Sequence, residues 1–286
     1  MYVLLGVAFS ANIGGIGTLV GSPPNAIAAA AVGMGFAEWM SWGLPLVLVM
    51  MPLMEIGLRL VLRPRLDVMV TPPPAPGGWT TAQQKMLALF GFTVLLWVFG
   101  APLGAALGAA LGFAQGYDAA VTLLALVLLH GLRLAGWQDV ERSTEWGVLL
   151  LFGGGLTLSK ALAASGAAAW LATQLGGPLA ALPAWVCIAL MVLFALLLTE
   201  VTSNTASAAL LIPLFLGLAP HVERAPLAVL VAVGTSCAFM LPAATPPNAI
   251  VFGSGHVPQR MMILGGSGVT ALVYPALVLA ALIALA

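Results

Sequence analysis

The sequence predicts an all-α polytopic membrane protein, an inverted-repeat architecture with two broken helices and a re-entrant hairpin. Three observations predict it. Hydrophobic residues make up 62% of the chain and charged residues 6%, with a mean hydropathy of +1.11, whereas roughly a quarter of the residues in a soluble domain are charged. Pro-Pro-Asn-Ala-Ile occurs twice in apolar surroundings, at 23–27 and 246–250. Two short apolar arms, Val186 to Leu198 and Ala206 to Leu216, flank the polar cluster Thr199-Glu200-Val201-Thr202-Ser203-Asn204-Thr205.

A spanning helix needs about 20 mostly apolar residues. Runs of that kind lie near 2–20, 42–62, 86–104, 117–132, 146–163, 226–243 and 262–285. The chain enters the first of them at once, without the basic region of a signal peptide. Arg59, Arg63, Arg65 and Lys85 flank the connection between the second and third runs, and positive residues near span ends mark the cytoplasmic side. Alternating from there puts Arg133, Arg142 and Arg260 inside, leaves Lys160 and Arg224 outside, and predicts a cytoplasmic N-terminus and an outer C-terminus. Trp42, Trp146 and Tyr117 read as interfacial anchors, and Glu55 with Arg59 as a structural i, i+4 pair. The Pro-rich stretch 71–78 is the candidate semi-rigid linker. The expected divisions are residues 1–63 (first broken helix and following span), 64–84 (cytoplasmic linker), 85–176 (scaffold spans and an interfacial helix) and 177–286 (hairpin, second broken helix and last span). The Gly- and Ala-rich stretch 100–116 suits close helix packing or an outer loop.

Net charge is zero and no block of like charge is present, which gives nucleic acid no basic field to meet. Cys187 and Cys237 lie in apolar runs and read as small core residues. Gly253-Ser254-Gly255-His256 superficially suggests an intramembrane protease, but adjacent Ser and His do not form a separated nucleophile and base, and His130, His221 and His256 all fall at span ends. No enzyme is expected.

The proline pairs break helices because each proline lacks an N–H and disfavours helix before it. Such backbone survives at membrane depth only inside protein or beside a wet cavity. Carbonyls around Val20 to Ser22 and Ala243 to Thr245 are then free to hold a cation, with Ser22 or Thr245 adding a hydroxyl. The half-helices starting near Asn25 and Asn248 should aim N–H groups and a positive dipole end at the break, where an anion would sit. Counting spans gives the two copies opposite directions, the pattern of secondary transporters with midplane sites. Each hairpin arm is too short to span, so a re-entrant turn with its tip at 199–205 is expected. Its hydroxyls and amide suit sodium and oxyanions. Glu200 is an intramembrane carboxylate, a functional group by default or equally a brace for the hairpin.

Ser203-Asn204-Thr205 followed by Ala206 to Pro213, Ser10 to Gly15 with Gly21 to Asn25, Phe152-Gly153-Gly154-Gly155, and Ala244 to Asn248 together resemble the divalent anion/sodium symporters, which carry dicarboxylates, citrate or sulfate. The resemblance implies a substrate site of Ser203, Asn204, Thr205, Thr245, Pro246, Ser22 and Pro23. It implies one sodium site of Thr199, Thr202, Asn204 and the Ala244 carbonyl, with Gly21 belonging to a second. It further implies Na+ as the co-transported ion without an organic cofactor, an elevator motion against a homodimeric scaffold, and a multi-pass place in the cell membrane. The hairpin partnering the first break would lie before Met1, so the N-terminal part of the family's pattern is expected to be missing. A C4-dicarboxylate is the leading anion. Sulfate or citrate, an ion antiporter or arsenite-type permease, and an inactive membrane remnant stay open.

Overall fold

Every regular element among the described residues is helical. The protein is described from a computed structural model covering residues 1–64, 77–100, 117–144 and 181–285, with isolated positions between 146 and 170. The described chain divides into two units, one of Met1–Met34, Trp39–Pro64 and Gly147–Ala286, the other of Gly35–Glu38 and Arg65–Trp146. The expected runs near 86–104 and 146–163 lie partly outside the described residues, as do Phe152, Gly155 and most of the Pro-rich stretch.

In the first unit, α1 (Tyr2–Ile16) stops at the glycine-rich end of the first apolar run, and α2 (Pro23–Val32) restarts after an extended Ser22. Between them the backbone folds back on itself. A Cβ on Gly15 would lie 2.8 Å from the Gly21 carbonyl oxygen, so the reversal is open to glycine and closed to alanine. The Ile16 carbonyl, left over at the end of α1, accepts from the Trp39 indole at 2.9 Å. Gly33 ends α2 in the left-handed region, at φ 74°, where glycine carries no Cβ penalty.

Long helices frame this unit. α3 (Phe36–Leu62) holds 27 residues, about 40 Å at 1.5 Å per residue, enough to cross a hydrocarbon core of about 30 Å. It meets α11 (Gln259–Ala284) closely, because a Cβ on Gly57 would stand 3.0 Å from the Val269 Cα. Small residues permit such approach where lipid supplies no hydrophobic drive between helices. Between α3 and α11 in sequence come α7 (Ala184–Val201), α8 (Asn204–Leu218), α9 (Arg224–Ser236), a 3₁₀ turn (Pro242–Ala244) and α10 (Pro246–Gly253). Every residue of α9 from Pro226 to Ser236 is buried, and its neighbours are α7, α8, α2, α11 and α1.

Among the described residues, α3, α7 and α11 are long and apolar enough to cross a membrane, and α1, α5 (Tyr117–Gly131), α8 and α9 are shorter apolar helices. Two expectations need correction. The first arm of the hairpin is not short, since α7 runs for 18 residues through Thr199 and Glu200 to Val201. The turn is therefore only Thr202 and Ser203, not 199–205. The helix continues because Thr199 and Glu200 find acceptors and donors on other elements, described below, and need no turn to satisfy them.

In the second unit, α4 (Thr81–Val98) begins with a reciprocal cap: Gln83 N–H donates to Thr80 Oγ1 at 3.3 Å and Thr80 N–H to Gln83 Oε1 at 2.9 Å. α5 (Tyr117–Gly131) packs on it through Trp97 Nε1, which donates to the Asp118 carbonyl at 3.2 Å, and Tyr117 Oη, which donates to the Leu96 carbonyl at 3.2 Å. α6 (Trp137–Ser143) is short and exposed.

Candidate functional site

The two breaks are built alike at the level of single hydrogen bonds. Asn25 Nδ2 donates to the carbonyls of Gly15 and Thr18, ten and seven residues back, both at 2.8 Å. Asn248 Nδ2 donates to the carbonyls of Ala238 and Leu241, also ten and seven residues back, at 3.0 and 3.1 Å. Both side chains are fully buried. Each asparagine thus ties together the ends of its own break, satisfying carbonyls that the interrupted helix leaves open. Superposing Asn25 on Asn248 pairs Gly21 with Ala244, Ser22 with Thr245 and Pro23 with Pro246. The site residues expected from the two breaks are therefore equivalent positions. Packing repeats the relation crosswise, with α1 against α10 and α9 against α2.

The half-helix starts do not offer the anion donors that the proline pairs suggest. Pro23, Pro24, Pro246 and Pro247 have no N–H. The next donors are already engaged: Asn25 N–H bonds the Ser22 carbonyl at 3.1 Å, Asn248 N–H bonds Thr245 Oγ1 at 3.3 Å, and Ala249 N–H bonds the Thr245 carbonyl at 3.0 Å. The donors nearest each proline pair are thus spent on the break itself.

Glu200 accounts for the difference between the breaks. Its carboxylate takes the N–H groups of three consecutive residues: Phe239 at 2.8 Å, Met240 at 3.0 Å on both oxygens, and Leu241 at 3.0 Å. By the same superposition these residues match Ile16, Gly17 and Thr18, yet α1 runs to Ile16 while α9 stops at Ser236. Glu200 has captured amides that would otherwise extend α9. Of its two expected roles, the brace is the one the contacts describe.

At the hairpin turn, Thr199 Oγ1 stands 2.7 Å from Asn204 Oδ1 and 2.9 Å from the Thr235 carbonyl. Three oxygens from three elements converge there, α7, α8 and α9. Thr202 is turned away, its hydroxyl bonded to the Leu198 carbonyl at 2.9 Å and to Ser207 Oγ at 2.5 Å. Ser203 Oγ caps α8 by accepting from Ala206 N–H at 3.1 Å. Ser203, Pro23, Pro246 and Gly21 are exposed; Asn204, Thr205 and Ser22 are half-buried; Thr245 and Ala244 are buried. Among the described residues no hydrogen bond joins Ser22 or Gly21 to the Thr199 cluster.

Two residues enter that sequence reasoning did not single out. Thr235 contributes a carbonyl, which no side-chain pattern reveals. Asn12, on α1, points its Nδ2 at Thr245 Oγ1 at 3.1 Å, Asn248 Oδ1 at 3.3 Å and the Ala238 carbonyl at 3.5 Å. A polar amide inside an apolar helix was the signal for it. The equivalent acceptor in the first break, Asn25 Oδ1, is buried without a hydrogen-bond partner among the described residues. Elsewhere the Glu55–Arg59 pair forms as expected at 2.5 Å and is joined by the Tyr2 hydroxyl. Cys187 and Cys237 are buried and are not joined in a disulfide.

A family model described as a citrate transporter matches residues 1–234. An uncharacterised transporter of Haemophilus influenzae is 41% identical over 271 residues, covering 93% of this chain and 59% of its own length. A second uncharacterised transporter, from Methanocaldococcus jannaschii, is 33% identical over 267 residues, with 92% and 60% covered. The sodium-dependent dicarboxylate transporter SdcS of Staphylococcus saprophyticus is 33% identical over 290 residues, with 91% and 54% covered. The chain spans between half and two thirds of the length of these relatives.

Proposed function

We propose, from the premise that this chain belongs to the citrate transporter family, that it takes part in sodium-coupled symport of a divalent organic anion, a C4-dicarboxylate first. The observation that carries the reading is the oxygen cluster at the hairpin turn. The Thr199 hydroxyl has one proton and two acceptors, Asn204 Oδ1 at 2.7 Å and the Thr235 carbonyl at 2.9 Å. At least one of those contacts sets oxygen against oxygen without a full proton between them, an arrangement that a hard cation relieves. Thr199 and Asn204 are two of the residues expected at one sodium site, with Ala244 and Thr202 named beside them. On this reading the Thr235 carbonyl takes the place that Thr202, engaged elsewhere, leaves open. The unpartnered Asn25 Oδ1 supports a second cation at the first break, where Gly21 is expected to contribute.

Anion binding would fall to side-chain donors from Ser203, Asn204, Thr205, Thr245 and Ser22, with Pro23 and Pro246 shaping the walls. None of these is cationic. Bound sodium would supply the positive charge, so it would bind first and set the affinity for the dianion. The name of the staphylococcal relative, a sodium-dependent dicarboxylate transporter, supports dicarboxylate and sodium; the description of the family as citrate transporters favours citrate as the second substrate. The crosswise packing of α1 on α10 and α9 on α2 supports two paired copies of one unit; we read them as an inverted repeat in the cell membrane with a cytoplasmic N-terminus, residues 1–63 and 177–286 belonging to a moving transport domain and residues 85–176 to a scaffold that would dimerise. The test is uptake of labelled succinate, citrate and sulfate into proteoliposomes under an inward sodium gradient, with a potassium gradient and Asn204→Ala as controls. Sodium-dependent uptake lost in Asn204→Ala is expected. Uptake indifferent to the cation, or unchanged in the variant, would sink the reading.

A further inference from the structure

The amide orientations around the second break are set by groups that can only accept. The carbonyls of Ala238 and Leu241 require protons, so Asn248 must turn Nδ2 toward them, at 3.0 and 3.1 Å. Its Oδ1 then faces the other way, onto Asn12 at 3.3 Å. An acceptor in that place demands the Nδ2 of Asn12, and the same Nδ2 lies 3.1 Å from Thr245 Oγ1. Thr245 Oγ1 also receives the Asn248 backbone N–H at 3.3 Å. A hydroxyl has two lone pairs and one proton. Both lone pairs of Thr245 are occupied, and no acceptor among the described residues takes its proton. Thr245 itself is 3% exposed, so bulk water does not compete freely for that proton.

We infer that Asn12 is a positioning residue that fixes the polarity of Thr245: by donating to its oxygen, Asn12 leaves the Thr245 hydroxyl able only to donate, toward an oxygen of the transported anion. The inference rests on the transport reading above and adds a residue to it. Without the Asn12 amide, Thr245 Oγ1 and Asn248 Oδ1 each lose a donor at the same moment, and the Thr245 proton is no longer held in one direction. The anion can then meet an oxygen lone pair where it needs a proton. Asn12→Asp is the sharpest variant, because it keeps the shape and replaces the donating NH₂ by an acceptor that draws the Thr245 proton to itself.

The experiment measures succinate affinity at saturating sodium, by titration calorimetry on the purified full chain, for wild type, Asn12→Asp, Asn12→Ala, Thr245→Val and Asn12→Ala/Thr245→Val. Sodium-dependent thermal stabilisation without succinate is recorded for each. One hydrogen bond to a charged acceptor corresponds to roughly tenfold to hundredfold in affinity. Asn12→Ala and Thr245→Val should each weaken succinate binding by such a factor, and the double variant should bind no more weakly than Thr245→Val alone, the signature of two residues acting through one contact. Asn12→Asp should bind at least as weakly as Asn12→Ala, with the sodium response retained in both. Effects that multiply in the double variant, or wild-type affinity in Asn12→Asp, overturn the inference. Loss of the sodium response in both Asn12 variants makes the residue a general brace and overturns it too. Wild-type protein that binds neither succinate, citrate nor sulfate overturns the transport reading, and the inference falls with it.

Discussion

Replacing Glu200 by glutamine removes one charge and leaves the shape of the side chain intact, so it isolates what the carboxylate does for the second break. The carboxylate receives four N–H···O contacts from three amides, between 2.8 and 3.0 Å. Glutamine turns one of the two oxygens into an NH₂ that faces N–H groups. If Oε2 is lost, Leu241 N–H has no acceptor; if Oε1 is lost, Phe239 N–H has none. The orphaned amide, in a side chain environment only 5% exposed, costs about 1–3 kcal/mol, and each of the other two exchanges a charge-assisted bond for a neutral one at about 1 kcal/mol. The sum is about 3–5 kcal/mol, which at about 2–4 °C per kcal/mol lowers the thermal midpoint by about 6–20 °C. The assay is loss of the folded peak in detergent by size-exclusion chromatography after a temperature series. A midpoint within about 2 °C of wild type would mean that the segment from Phe239 to Leu241 does not depend on the carboxylate, and the account of why α9 stops at Ser236 would be wrong.

Gly266 lies flat against the same segment, where a Cβ would come within 2.8 Å of the Met240 Cα. Gly266→Ala therefore forces backbone to move and should lower the thermal midpoint by the equivalent of about 1–3 kcal/mol; an unchanged midpoint would show that α11 and the break are not in contact. Asn25→Ala and Asn248→Ala each release two break carbonyls, a loss of about 2 kcal/mol or more. Asn248→Ala should be the more damaging because it also removes one acceptor of the Asn12 amide, so equal or reversed midpoints by the same chromatographic assay would count against the shared design of the breaks.

Much of this was legible in the sequence. The repeated Pro-Pro-Asn marks two helix interruptions, and both occur, with α1 and α9 stopping before them and α2 and α10 starting at the prolines. The resemblance put Thr199 and Asn204 in one expected sodium site, and their side-chain oxygens lie 2.7 Å apart. The partners of Glu200 were not legible, because they are backbone amides some 40 residues away, and amides look the same at every position of a sequence. The Thr235 carbonyl was hidden for the same reason. Asn12 was visible as an amide in an apolar helix, but its targets lie on the far side of the chain, and only the crosswise packing of α1 on α10 brings them near. The role given to the half-helix amides is different: proline lacks an N–H, so the sequence already contradicted it. The remaining donors were taken by Ser22 and Thr245, which the same short motif places one residue before the proline pair.

That correction bears on how charge would be handled at the site. A helix start is ordinarily a place for an anion because its free N–H groups converge there. Here two prolines delete the first donors, the cap and the turn consume the next, and the asparagine spends its own protons on carbonyls of the break. The three further amides of the second break are occupied by Glu200. The donors nearest the proline pairs, and those of residues 239–241, are therefore engaged within the protein and not offered to an anion. On the proposed reading, a dianion cannot be held by this scaffold alone and depends on whatever cation the acceptors have gathered, together with a few side-chain protons such as that of Thr245. On that reading an anion arriving without sodium would meet carbonyl oxygens and only a few side-chain donors such as Thr245, so its affinity would follow the sodium bound there.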